Sequence, residues 1–197
     1  GSGGPLVLEG DTLYLARYAD LEARLARAII ARLSPMPVDH ARMNEDVERL
    51  WPDTGDTAGN AGQIAAARTA LENRFALIVG GPGTGKTTTV VRILAMMLRQ
   101  APAEDLRIAL LAPTGKAAAR MVESILDSLR KGGEAAFPPE IAAAIPRVAT
   151  TIHRALGVRP DNPAITKHHA ENPLPFDVVV VDEASMIPLA LMARLMD

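Results

Sequence analysis

The residues best suited to chemistry stand at Gly80-Gly81-Pro82-Gly83-Thr84-Gly85-Lys86-Thr87, a full match to the pattern G-x-x-x-x-G-K-[ST]. Glycines let a backbone wrap closely and aim consecutive N–H groups inward, where phosphate oxygens can sit. A helix opening near Lys86 adds the positive end of its dipole. Lys86 is then placed to reach the β- and γ-phosphates of a nucleoside triphosphate, and the Thr87 hydroxyl to ligate magnesium. Gly81, Pro82, Gly83, Thr84, Gly85, Lys86, Thr87 and Thr88 are the expected nucleotide-binding set, with ATP and Mg2+ as the expected ligands.

A second cluster follows Val178–Val181, which runs directly into Asp182-Glu183-Ala184-Ser185. An Asp at the C-terminal end of a buried parallel strand lies where open α/β sheets place their ligands. Asp182 is expected to hold magnesium together with Thr87, and Glu183 to polarise the attacking water. A strand ending in a solvated acidic turn has the same local sequence; the phosphate loop upstream favours the catalytic reading. Lys86, Asp182 and Glu183 form the expected catalytic set, and an acid pair of this kind points to hydrolysis rather than to a kinase.

These residues need elements to position them. Phe75–Val79, Arg107–Ala112 and Asp177–Val181 are short apolar runs without polar alternation, as expected of strands buried on both faces. Helical spacing appears between them, at Val90, Val91, Leu94, Met97 and Leu98, and again at Ala118, Met121, Val122, Ile125 and Leu129. The alternation predicts an α/β fold, a parallel sheet flanked by helices. Lys131–Pro139, with Gly-Gly and Pro-Pro, reads as a loop. Ahead of this domain, Leu6–Leu8 and Leu13–Leu15 predict a hairpin, Ala19–Leu33 a helix ended by Ser34-Pro35-Met36-Pro37, and Trp51–Asn60 a polar connector. Residues 1–4 read as a tag or linker, 5–58 as the remnant of a small N-terminal α/β domain, and 59–197 as the main domain.

Composition excludes some classes. The chain has 197 residues, net charge −2 and no Cys, so disulfides and thiolate metal sites are out and no global basic footprint for nucleic acid exists. No apolar run is long enough to span a membrane, and the N-terminus has no signal-peptide pattern. A cytoplasmic, reducing setting fits. His168 and His169 are adjacent, without a nearby acidic partner, and do not read as a zinc site.

With these motifs placed, the chain resembles the RecD family, the alpha subunit of exodeoxyribonuclease V and a superfamily 1 helicase. The resemblance is carried by G-G-P-G-T-G-K-T-T-T, by A-P-T-G-K-A-A-A-R-M (Ala112–Met121), by A-T-T-I-H-R-A-L-G (Ala149–Gly157) and by V-V-V-V-D-E-A-S-M-I (Val178–Ile187). His168–Leu174 and Pro5–Leu15 are similar to that family too, so nearly the whole chain is covered. The resemblance implies an ATP-dependent helicase moving 5′ to 3′ on single-stranded DNA, in double-strand-break repair and recombination with RecB- and RecC-like partners. It implies DNA contacts at Pro113, Thr114 and Lys116, and at Thr150, Thr151 and His153. A Gln about where Gln63 stands, on the helix predicted over 61–73, reads the adenine edge in superfamily 1, and Arg74 is a further candidate beside the base. The family's later motifs, its second motor domain and its arginine fingers are not in these 197 residues. In the family's fold a strand from that later region lies between the phosphate-loop strand and the acidic strand. The resemblance thus implies a RecA-like P-loop NTPase sheet that is incomplete, a partial motor domain with weak nucleotide binding and little turnover. A stand-alone RecD-like or relaxase-fused helicase, and a non-catalytic nucleotide-binding domain, are the alternatives.

Overall fold

The computed structural model describes residues 4–52, 57–81, 83–101, 106–159, 161–162 and 165–197, with the side chains of Glu9 and of residues 57–59 left aside. Pro82, most of the tag-like start and residues 53–56 of the connector lie outside the described residues.

The chain opens with the expected hairpin, β1 (Leu6–Glu9) and β2 (Thr12–Leu15), paired antiparallel around Gly10 in the left-handed region. Helix α1 (Ala16–Ala31) follows at once and packs against the last helix, α8 (Leu189–Met196), with Arg24 in an ion pair with Asp197. Helix α2 (His40–Leu50) starts on Asp39, whose carboxylate accepts from the Arg42 N–H at 3.1 Å. Helix α3 (Thr57–Glu72) begins inside the stretch expected to be connector.

The sheet is built around β3 (Ile108–Ala112), with all five residues buried. It pairs in parallel with β4 (Ala149–Thr151) on one side and β5 (Val178–Val181) on the other, in the order β4-β3-β5. Its side chains alternate as a strand requires. Ile108 and Leu110 join a core with Met43, Leu50 and Trp51 from the α2 region, Ala67 and Leu71 of α3, Leu94 and Met96 of α4 (Lys86–Gln100), and Met121 and Ile125 of α5 (Gly115–Ala136). Ala109 and Leu111 face a smaller core with Ile152 and Leu156 of α7 (Ile152–Leu156) and Leu191 of α8. Helices therefore cover both faces of β3, which explains why its sequence is a continuous apolar run. Arg107 clamps the entry to β5: its Nε and Nη2 donate to the two Asp177 carboxylate oxygens at 3.0 and 3.1 Å. Those side-chain hydrogen bonds hold the Asp177 carboxyl below its ordinary range.

Three expectations need correction. Phe75–Val79 is not a strand: no described segment pairs with it, and Leu77 and Val79 are 70% and 84% exposed. Apolar content alone does not make a strand, because its N–H and C=O groups need a neighbouring one. β5 is an edge strand rather than one buried on both faces, with Val179 39% exposed. The stretch 131–139 is mostly helical, since α5 continues to Ala136 across a break at Gly133 (φ 61°, ψ −171°) and α6 (Pro139–Ala144) starts at once. The Gly-Gly pair marks a kink where a loop was expected.

Asp46 is the one fully buried charged side chain among the described residues, and it ties α2 to α4. Arg49 Nη2 and Arg99 Nε lie 2.7 and 3.1 Å from its Oδ1. Burial pushes its carboxyl above the ordinary value even though both guanidiniums oppose the shift. Asp46→Ala strands two cations around an empty position and is expected to lower stability by about 3 kcal/mol in urea unfolding. A loss below about 1 kcal/mol would place this cluster with ordinary surface ion pairs.

Candidate active site

The phosphate loop leads into α4 through Gly83 and Gly85, both at φ +77°. A Cβ on Gly85 would stand 2.9 Å from Gln63 Nε2, and one on Gly80 2.7 Å from Thr84 Oγ1. Only glycine fits either place without a shift. Among the described residues no backbone carbonyl is paired with the N–H groups of Gly83, Gly85, Lys86, Thr87 or Thr88. Thr89 is the first to bond back, to the Gly85 carbonyl at 2.9 Å. Lys86 Nζ donates to the Gly80 and Gly81 carbonyls, at 2.7 Å each. Donors without a backbone acceptor among the described residues, beside an ammonium, fit the phosphates of a nucleotide. Thr88 contributes only its N–H, because its hydroxyl lies 3.3 Å from Ser128 Oγ on α5.

The parallel pairing brings three more expected groups to one edge of the sheet. Leu111 is in register with Thr150 and with Val181, so β3, β4 and β5 end together. After β5, the Asp182 N–H donates to the Leu111 carbonyl at 3.0 Å, and Asp182 Oδ1 accepts from the Glu183 N–H at 2.9 Å. Glu183 sits at φ 51°, ψ 42°, and it is the one non-glycine with positive φ among the described residues. For a side chain of this size that conformation costs on the order of 1–2 kcal/mol. It is held by the hydrogen bond to Asp182 and by the 3-10 turn Ala184–Met186. Strain of this kind gathers where a side chain must be aimed.

After β3, Thr114 caps α5 by accepting from the Ala117 N–H at 3.2 Å, next to exposed Lys116. After β4, Thr151 caps α7 in the same way, accepting from the Arg154 N–H at 3.2 Å, next to exposed His153. The register that sets Ala112 opposite Thr151 thus brings the starts of α5 and α7 to the same edge of the sheet. No hydrogen bond or ion pair among the described residues joins Asp182 or Glu183 to Lys86 or Thr87. In the RecD-like stretch, His168 Nδ1 faces the Asn172 and Pro173 carbonyls at 3.2 and 3.1 Å, closing a tight loop. Arg74 is exposed and is tied through its N–H to the Ser34 carbonyl at 3.3 Å.

Gln63 arrives beside the loop, donating through Nε2 to the Thr84 carbonyl at 3.2 Å. Its oxygen accepts from Trp51 Nε1 and from Arg92 Nη1, both at 3.1 Å. Sequence reasoning missed Trp51 and Arg92. The available signals were a lone Trp at the end of a helix and a cation on an otherwise apolar face of α4.

A glycine-lined phosphate cradle opening a helix, with an acid pair ending a parallel strand, defines a P-loop NTPase domain. The model of the family described as "AAA domain" matches residues 63–197. The RecBCD enzyme subunit RecD of Mycolicibacterium smegmatis is 42% identical over 206 residues, covering 99% of this chain and 34% of that protein. The subunit of that name from Haemophilus influenzae is 36% identical over 197 residues, covering 98% of the chain and 30% of its own length. The chain belongs to the RecD family. The ATP-dependent RecD2 DNA helicase of Deinococcus radiodurans is also similar, 31% identical over 186 residues, 93% of the chain and 22% of that protein. The chain thus spans about a third of the length of the RecBCD subunits that it matches.

Gly85→Ala combines a left-handed backbone with a contact on Gln63. It is expected to cost about 1–2 kcal/mol in urea unfolding and to weaken nucleotide binding at least tenfold by calorimetry. Unchanged affinity would mean that the loop's shape does not set binding.

Proposed function

We propose that the chain is the nucleotide-binding part of the first motor domain of an ATP-dependent DNA helicase, with residues 59–197 forming that domain and 5–58 belonging to the one before it. The observation that carries the reading is the set of N–H groups at Gly83 and Gly85–Thr88, which have no backbone acceptor among the described residues, beside Lys86. In this reading the Gly81–Thr88 loop, Pro82 included, holds the ATP phosphates, and Lys86 leaves the loop carbonyls to neutralise them. Thr87 and Asp182 would hold Mg2+, which supplies charge neutralisation on the phosphates when bound. Glu183 orients the attacking water and takes its proton, its carboxylate aimed by the left-handed turn.

Pro113, Thr114, Lys116, Thr151 and His153 would meet the backbone of single-stranded DNA at the same sheet edge. Capped helix starts and a lysine suit phosphate oxygens, and such contacts position a strand without reading its sequence. The parent would act 5′ to 3′ in recombinational repair in the cytoplasm, with RecB- and RecC-like subunits, as the names of the M. smegmatis and H. influenzae relatives suggest. The D. radiodurans relative supports a second reading, a stand-alone helicase. Co-purification of the parent with RecB- and RecC-like chains separates the two. Among the described residues no helix is long and apolar enough to cross a membrane.

The test is ATP hydrolysis by the full-length protein with and without single-stranded DNA. DNA should stimulate turnover. Lys116→Ala should weaken that stimulation while sparing the basal rate, and Glu183→Gln should lower turnover at least a hundredfold with nucleotide binding retained. Turnover indifferent to DNA would contradict the motor reading, and full activity in Glu183→Gln would remove Glu183 as the base.

A further inference from the structure

Three threonines follow Lys86, and their hydroxyls go three ways. Thr87 is the one that the nucleotide reading assigns to magnesium. Thr89 is buried, and its hydroxyl donates to the Gly85 carbonyl at 3.0 Å. Thr88 turns sideways to α5, where its Oγ1 lies 3.3 Å from Ser128 Oγ. The buried residues of α5 are Ala118, Met121, Ile125 and Ser128, and Ser128 is the one polar member of that face. A serine hydroxyl has one proton, and Ser128 gives it to the Ser124 carbonyl at 2.8 Å. In the pair with Thr88, Thr88 therefore donates and Ser128 accepts. Beside the pair lies a cavity of about 130 Å³, lined by Arg92, Lys131, Gly132 and Phe137 as well as the two hydroxyls. Side chains around such a void do not interlock, so the hydrogen bond rather than packing holds Thr88 to α5.

We propose, resting on the nucleotide and DNA readings above, that Ser128 is a positioning residue that keeps the Thr88 hydroxyl off the phosphates until DNA moves α5. The Thr88 hydroxyl has one proton, and while Ser128 accepts it no phosphate oxygen can. Helix α5 is regular from Gly115 to Gly132, and its break at Gly133 lies beyond Ser128. Lys116 and Ser128 thus ride on one rod, about 18 Å apart along its axis. A strand seated on Thr114 and Lys116 displaces that rod, and the contact with Thr88 opens. The freed hydroxyl then donates to a phosphate oxygen, a charge-assisted bond stronger than the one it leaves. Nucleotide binds more tightly to the DNA-bound protein, and by linkage DNA binds more tightly to the nucleotide-bound protein by the same factor.

The experiment is calorimetric titration of the full-length protein with MgAMP-PNP, a non-hydrolysed ATP analogue, with and without saturating oligothymidylate. Anisotropy of a labelled oligothymidylate reports the reciprocal factor. The variants are Ser128→Ala, Ser128→Thr, whose methyl has room in the cavity, and Thr88→Val, which keeps the branched shape without the hydroxyl. Thermal melts check the fold. In the unaltered protein oligothymidylate should tighten MgAMP-PNP binding about fivefold, the effect of one hydrogen bond. Ser128→Ala frees the Thr88 hydroxyl at all times, so binding without DNA should be about fivefold tighter, and DNA should add nothing. Ser128→Thr keeps the acceptor and should keep the response. Thr88→Val should lose the response without the gain in affinity.

A packing role for Ser128 has the opposite sign. Ser128→Ala would then weaken MgAMP-PNP binding and lower the melting temperature with the DNA response unchanged, which overturns the proposal. So does an unaltered protein that binds both ligands, each at an affinity indifferent to the other, and that result leaves the nucleotide reading standing. Oligothymidylate that does not bind removes the DNA reading and the coupling together. If the unaltered protein binds no MgAMP-PNP, the nucleotide reading itself fails and the proposal falls with it.

Discussion

Five consecutive buried side chains, Ile108 to Ala112, place β3 where no water reaches its backbone, so its N–H and C=O groups must find other strands. β4 and β5 supply them, both parallel to β3 and both ending level with it. That pairing decides the rest. Three chain segments distant in sequence leave the sheet at one edge, and each carries candidate site residues: Thr114 and Lys116, Thr151 and His153, Asp182 and Glu183. The helices that cover β3 on both faces include α4, whose start is the phosphate loop.

Much of this was legible because it is local. The phosphate loop and its helix follow from short-range rules on glycine, helix starts and apolar spacing. β3 was legible as an unbroken apolar run. Phe75–Val79 has the same kind of run and is not a strand, because pairing is a property of two segments and the sequence displays one at a time. Gly132-Gly133 looked like a loop, yet glycine only permits a turn; here the chain spends that freedom on one left-handed residue at Gly133 inside α5.

The Gln63 network was least legible. Its four groups come from the end of α2, from α3, from the loop and from the middle of α4, and no spacing rule joins Trp51 to Arg92. Each alone has a bland reading: an anchoring tryptophan, an exposed glutamine, a helical arginine. Together they fill the two lone pairs of one oxygen and leave one orientation for the amide. Burial also lowers the pKa of Arg92, which fits a cation held among side chains rather than in solvent. The relatives give the family, whereas this network comes from geometry alone.

The central claim is that the Gly80–Thr88 loop holds nucleotide phosphates through its backbone N–H groups and Lys86. The most direct measurement is calorimetry of this chain with ADP, in magnesium and in EDTA, for the unaltered chain and for Lys86→Ala. The account predicts binding at a single site that strengthens with magnesium and is lost in Lys86→Ala. Binding of equal strength in Lys86→Ala would contradict it.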